Sequence, residues 1–298
     1  MFGQKYRWNK KRSGMDLSYD PVRFVLQYGR PYHILRMALF LNKHDIDTAP
    51  FLADLKSMQN EDGGWPWHWK EGKPSGMAET GRVMELLVNY GEDKTSPHIK
   101  KAFEFIISHQ KYDGGWSENK QLQLIVPKKW YWISFKHSTV WITAAILRGL
   151  ISAGHANNVF AIKGIEFLKR SQNTDGGWPS HVGSDYPFGS DLASMDDVVN
   201  ALLMAGYNHK SEIIMNLEKC TLSLRNQWKM LNFAGSALAI LNALNYSGNT
   251  ESVRDVIQIL IDAQKIDGGW SGRKSAPSDP WYTTFCFENL YKYGVRYH

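Results

Sequence analysis

Four strings of the form Gln-x-x-Asp-Gly-Gly-Trp punctuate the sequence, at residues 59–65, 110–116, 172–178 and 264–270. A seven-residue string held at four places constrains the fold more than any bulk property, because a recurring local structure of this period builds an array of like units. The four tryptophans are 51, 62 and 92 residues apart. The last interval is two periods long, and Asn226, Gln227 and Trp228 lie midway as a degenerate copy without glycines. Five repeats and a helical stretch over residues 20–41 make six units.

Each repeat has the same internal order. An amphipathic helix leads to the Gln, as in residues 99–110 and 162–172, with apolar residues at i, i+3 and i+4 and charges on the other face. The Asp-Gly-Gly then stops the helix, glycine being free to take the left-handed conformation. After a variable loop comes a more apolar helix, at residues 79–90, 138–153, 196–205, 233–244 and 283–293. These end near Gly91, Gly154, Gly206, Gly248 and Gly294. A half-polar helix alternating with a nearly all-apolar one predicts two layers, an inner and an outer ring of about six helix pairs, in an all-α fold. One domain is expected over residues 19–298, preceded by a flexible basic segment, residues 1–18.

The charge pattern narrows the function classes. The net charge is +6, but the excess is scattered, and no aromatic-basic pattern of a nucleic-acid module appears. The densest basic cluster, Lys5, Arg7, Lys10, Lys11 and Arg12, has Phe2, Tyr6 and Trp8 between its members. It reads as a solvated terminus or as a peripheral anchor at an anionic membrane. Cys220 and Cys286 are far apart and outside any CxxC spacing, which argues against a disulfide framework or a cysteine-built zinc cluster. No apolar leader and no run long enough to span a bilayer is present. A cytoplasmic, membrane-peripheral protein is expected, and a homo-oligomer stays open.

The Gln-x-x-Asp-Gly-Gly-Trp string after an apolar-aromatic helix resembles the repeat of squalene and oxidosqualene cyclases, and that of protein prenyltransferase β-chains. The likeness runs from about Ile46 onwards. It implies an α/α toroid (α6-α6 barrel), in which the repeat Gln and Trp staple an outer helix to the next inner one. It also implies an isoprenoid as the hydrophobic small-molecule partner, with no cofactor. Zinc-dependent prenylation is not implied, because Tyr282 stands where the zinc-binding His of the last repeat should be and no Asp-x-Cys precedes it.

Class II cyclases of this family protonate an alkene with the acid form of an Asp in a D-x-D-D motif. Such a carboxyl keeps its proton through desolvation and a neighbouring carboxylate. Ser194-Met195-Asp196-Asp197 is the nearest match and the preferred alignment, with Asp196 as the acid, Asp197 or His137 as its partner, and Ser194 replacing the first Asp. A second alignment, counted back from the glycines that end the apolar helices, places Asp191 on the first Asp and Ala193 on the acid. Capping of the helix N-terminus competes with the acid role for Asp196 and Asp197. The substrate-binding candidates are Glu79, Asp191 and Asp279 at inner-helix starts, with the aromatic residues Trp67, Trp69, Trp130, Trp132, Trp141, Trp281 and Tyr282. Carbocations are steadied over such π faces, and core packing accounts for the same residues. Two further readings stand beside a cyclase: a carbohydrate-active enzyme using a carboxylate pair in a Trp-lined groove, and a non-catalytic toroid that binds a ligand or partner, which a packed centre without a cavity would favour.

Overall fold

The computed structural model describes residues 16–42, 46–128, 130, 133–182 and 189–297. Twelve α-helices alternate between two rings. The inner ring consists of α2 (Pro31–Leu41), α4 (Met77–Asn89), α6 (Val140–Ser152), α8 (Leu192–Met204), α10 (Leu231–Ala243) and α12 (Pro280–Lys292). Outside it lie α1 (Pro21–Tyr28), α3 (Ala49–Ser57), α5 (Pro97–Ser108), α7 (Val159–Arg170), α9 (Glu212–Ser223) and α11 (Glu251–Asp262). Each inner helix packs on the next inner one, and α12 packs on α2, which closes the ring. This is the six-pair α/α toroid that the repeats predict. At the α4–α6 seam Gly81 and Gly149 face each other, and a Cβ on Gly149 would lie 2.4 Å from the Gly81 carbonyl oxygen.

Four hydrogen bonds explain why the repeat keeps its residues. The Trp indole N–H donates to a carbonyl ten residues back in its own outer helix, Trp65 to Leu55 at 2.7 Å, Trp116 to Ile106 at 2.8 Å, Trp178 to Leu168 and Trp270 to Leu260 at 2.7 Å. The Trp backbone N–H donates forward to a threonine hydroxyl of the following inner helix, Trp65 to Thr80 and Trp116 to Thr143 at 3.0 Å and Trp270 to Thr283 at 2.9 Å. The Asp carboxylate accepts from the second glycine and from a serine just before the inner helix, Asp62 from Ser75, Asp113 from Ser138, Asp175 from Ser190 and Asp267 from Ser278.

The Gln differs from its expected role. Its carboxamide reaches the start of the next outer helix, not the next inner one: Gln59 Nε2 donates to His98 O, Gln110 to Phe160 O, Gln172 to Ile213 O and Gln264 to Tyr19 O, at 2.8–3.0 Å. The first glycine makes that approach feasible. Gly63, Gly114, Gly176 and Gly268 have φ of 85° to 90°, and a Cβ on any of them would lie 2.3–2.5 Å from a backbone oxygen of the next outer helix or its lead-in. Both constraints exclude a side chain.

The degenerate fourth unit keeps its place in the ring. Trp228 is buried, but its indole N–H has no hydrogen-bond partner. Asn245, at φ 58°, ends α10 where Gly248 was expected, asparagine being the usual substitute in that conformation. The N-terminal segment also needs correction. Asp16–Leu17 pairs as a short parallel strand with Arg296–Tyr297, so the stretch expected to be flexible to residue 18 is anchored from Asp16. Residues 1–15, with the basic cluster, lie outside the described residues. Among the described residues no helix is long and apolar enough to cross a membrane.

Substituting Thr143 by Val keeps the shape and removes the acceptor for the buried Trp116 N–H. The variant should lose about 1–3 kcal/mol in urea denaturation, and Thr143→Ser should recover most of it.

Candidate functional site

The inner ring surrounds a cavity of about 1230 Å³. Its wall is built in layers, because each inner helix offers the same positions inward. One residue past the first of its helix stand Tyr32, Trp141, Ala193, Asn232 and Trp281; five past stand Arg36, Arg82, Asp197, Ser236 and Phe285; eight past stand Leu39, Glu85, Arg148, Asn200, Ala239 and Glu288. The first layer is mainly aromatic and the deeper two are polar and charged.

The aromatic layer is a stack. Tyr32 and Trp69 lie 4.1 Å apart at 4°, and Trp281 follows Trp69 at 5.5 Å and 27°. Below it runs an ion-paired belt. Arg82 meets Asp197 at 2.9 Å, Arg148 bridges Asp197 at 3.2 Å and Glu85 at 2.9 Å, and Arg36 meets Glu288 at 2.8 Å. Despite burial, Lys292 and Arg36 bring the Glu288 carboxyl down to about 2. The guanidinium carbons of Arg82 and Arg36 lie 4.5 and 5.0 Å from the Trp281 ring centre. The face of Trp281 therefore already holds resident cations.

Asp196 lies beside this belt. It is 8% exposed, lines the cavity and sits one residue before the doubly paired Asp197. Burial first, and the adjacent Asp197 second, hold its carboxyl well above the usual range; the Ser236 hydroxyl, Arg82 and Arg148 act weakly against them. The two neighbouring acids are thereby separated in role. Asp197 has two guanidinium partners, and the carboxyl of Asp196 is shifted toward its protonated form.

The structure corrects the alignment of this segment. Helix α8 begins at Leu192, four residues before the expected start at Asp196. Asp191 is its N-cap, accepting from Ala193 N–H at 3.1 Å and Ser194 Oγ–H at 3.0 Å. Met195 then takes the place that Thr80, Thr143 and Thr283 take in their helices, so the segment follows the second alignment. Asp196 and Asp197 are not capping residues. They lie inside α8 because all five inner helices from α4 onwards have the same 13-residue length.

The other predicted residues divide. Trp67, Trp69, Trp141, Trp281, Tyr282, Glu79 and Asp191 line the cavity. The Tyr282 hydroxyl donates to Leu231 O, and burial is the main reason its pKa is raised. Asp279 does not line the cavity: it caps α12, accepting from Tyr282 N–H at 2.8 Å. His137 is half-buried in the loop before α6, outside the cavity wall, and is not among the groups that act on Asp196. Trp132 lies outside the described residues. Sequence reasoning passed over Arg36, Arg82, Glu85, Arg148 and Glu288. Their signal was a charge inside a mainly apolar helix, clearest at Arg148, the one charged residue of 140–152. Among the described residues no cluster of His, Cys, Asp and Glu is placed to hold a metal.

Ring closure and the repeat bonds define an α/α toroid of the terpenoid-cyclase type. The chain belongs to the squalene-hopene cyclase C-terminal domain family, whose model matches residues 35–190, and the prenyltransferase α/α toroid domain matches residues 207–297. A squalene–hopene cyclase of Bradyrhizobium diazoefficiens is 30% identical over 131 residues, which are 44% of this chain and 19% of that enzyme. The matched region thus spans about a fifth of that relative. Among solved structures, the type II terpene cyclase MstE from Scytonema, in complex with geranylgeranyl dihydroxybenzoate, superposes with a TM-score of 0.65 at 14% identity, over 88% of this chain and 86% of that one. A structure described as a novel alpha-amylase from Clostridium perfringens superposes with a TM-score of 0.60 at 13% identity, over 88% and 85%.

Burial of acids has a thermodynamic consequence at Glu118. Burial, then Glu79, push its carboxyl from 4.5 to about 8. The folded chain binds this proton more tightly than the unfolded one, so the stability it contributes is present below about pH 4.5 and is lost as pH rises through about 8. Glu118→Gln cannot lose a proton. Its stability relative to the wild type should climb across that window in urea denaturation.

Proposed function

We propose that this chain catalyses acid-initiated cyclisation of an isoprenoid. One observation carries the reading. Asp196 is a buried carboxyl whose pKa is raised by desolvation and by Asp197, and it lines a large cavity with aromatic walls. Arg82 and Arg148, paired with Asp197, offset the negative charge that Asp196 carries once it has given up its proton. Proton transfer from Asp196 to a terminal alkene carbon forms a C–H bond and leaves a tertiary cation, which the internal double bonds then attack. Tyr32 and Trp69 offer aromatic surface to the folded chain of the substrate. Membership of the squalene-hopene cyclase family and the likeness in fold to a type II terpene cyclase support the reaction class; the second alignment leaves Ala193 on the family's acid position, so the role of Asp196 rests on its own burial and place in the cavity.

The ion-paired belt favours a substrate with a polar end, since a plain hydrocarbon would lie against the charged groups of Arg82, Asp197 and Arg148 without answering them. The same polar wall, together with the likeness to the Clostridium perfringens structure, supports a second reading, hydrolysis of a glycosidic bond. The cavity runs against the sealed centre that would favour a non-catalytic toroid binding a ligand or partner.

Incubation with prenyl diphosphates, prenylated aromatic acids, squalene and linear oligosaccharides, followed by mass spectrometry, separates these readings. A cyclised isomer of an isoprenoid is the expected product. Asp196→Asn should fold normally and lose at least about 100-fold in turnover. Full activity in that variant overturns the role of Asp196, and turnover of oligosaccharides alone overturns the cyclase.

A further inference from the structure

A second acidic pair lies at the aromatic end of the cavity, and the acid step has no use for it. Glu79 sits near the start of α4 and Glu118 lies two residues beyond the repeat Trp116; they are 6% and 2% exposed. Glu118 Oε1 is held by two backbone donors, Met77 N–H at 2.8 Å and Asn119 N–H at 2.9 Å. Glu79 Oε1 accepts from His68 N–H at 3.1 Å. Its other oxygen, Oε2, is buried with no hydrogen-bond partner.

That oxygen lies against the Gly76 backbone, beside the Trp67 ring. A Cβ on Gly76 would lie 2.1 Å from Glu79 Oε2 and 3.3 Å from Trp67 Cδ1. The Trp67 and Trp130 rings are 5.8 Å apart and tilted by 55°, and the His68 ring packs against both. The turn that presents them is strained. His68 and Trp69 have consecutive left-handed φ of 53° and 48°, a conformation unfavourable for residues with side chains, and the Glu79 bond to His68 N–H holds it.

A buried carboxylate oxygen without a donor is costly. Two ligand features would offset that cost here. Positive charge answers the carboxylate, and apolar substituents answer the indole rings, since a compact ammonium would have to shed tightly held water against them. An anion would be repelled by Glu79. We infer that Glu79, backed by Glu118 and flanked by Trp67 and Trp130, forms a binding site for an alkylated organic cation at the aromatic end of the cavity. The site stands on its own geometry and does not rest on the cyclase reading. If that reading holds, the same carboxylate attracts the positive charge of the carbocation.

The pair also sets a pH dependence. Burial and Glu79 hold the Glu118 carboxyl at about 8, with Arg82 of α4 acting weakly against them; His68 stands over Glu79 on the loop side. Above that pH Glu118 loses its proton and the site gains a negative charge, so a cation binds more tightly.

Tetramethylammonium chloride, titrated into the full chain at constant ionic strength and followed by tryptophan fluorescence and calorimetry, tests the site. Saturable millimolar binding is expected, with tert-butanol, a neutral molecule of similar shape, binding at least tenfold more weakly. Affinity should rise severalfold from pH 7 to pH 9. Glu79→Gln should weaken binding at least tenfold. Gly76→Ala, whose backbone φ of −92° accepts alanine, should do the same by displacing the Glu79 carboxyl, which its Cβ would meet at 2.1 Å, while keeping every charge, so the test survives if Glu79→Gln fails to fold. Absence of saturable binding, equal affinity for tert-butanol, or undiminished binding in Gly76→Ala overturns the site.

Discussion

The fold hangs on the carboxamide of one repeated glutamine. In each of the four full repeats its Nε2 bridges two carbonyls, that of the first glycine in its own turn and that at the head of the next outer helix. An amide can make this bridge because it carries two donors in one plane. Glutamate would present only acceptors to the same two carbonyls. The bond fixes the step from one helix pair to the next, and the tryptophan ten residues past its helix carbonyl fixes the tilt of each pair. The curvature of the ring, and therefore the width of the cavity, follows from these two restraints.

Regular walls give irregular residues a meaning. Because the inner helices share length and phase, a given depth in the cavity is a given position in each helix. At the two deeper levels five of the six inner helices contribute a charged residue, and these meet in ion pairs. Arg82 and Arg148 come from neighbouring helices and both find Asp197 on the third. That meeting occupies Asp197, while the carboxyl of Asp196 beside it is held above its usual range, chiefly by burial. The surroundings of Asp196 are thus set by three helices, although the two aspartates are adjacent in sequence.

The repeat made the architecture readable before any coordinates. The string carries its own turn chemistry, and its spacing counts the units, including the worn fourth one at Trp228. The start of α8 was read wrongly because Asp196 and Asp197 look like a cap on sequence alone, while the real cap, Asp191, follows a loop with few landmarks. The count back from Gly206 already pointed to Asp191, and equal helix length decides for it. Asp279 was misplaced for the converse reason: a cap and a cavity residue look alike at a helix start, and only the direction of the side chain separates them. The arginine belt was out of reach because its members come from α2, α4 and α6, and their convergence on partners in α4, α8 and α12 needs the closed ring. Glu118 gave no signal at all, being one acidic residue in a loop until its burial against Glu79 is seen.

The short pairing of Asp16–Leu17 with Arg296–Tyr297, together with the bond from Gln264 to Tyr19, changes how the molecule can come apart. In an open solenoid the terminal unit has one neighbour and frays first. Here the first and last helix pairs each have two. No unit can peel away without breaking a seam on both sides, so partial unfolding from an end is suppressed and loss of structure becomes a collective event. A wall assembled from six separate helices is thereby held to a single circumference.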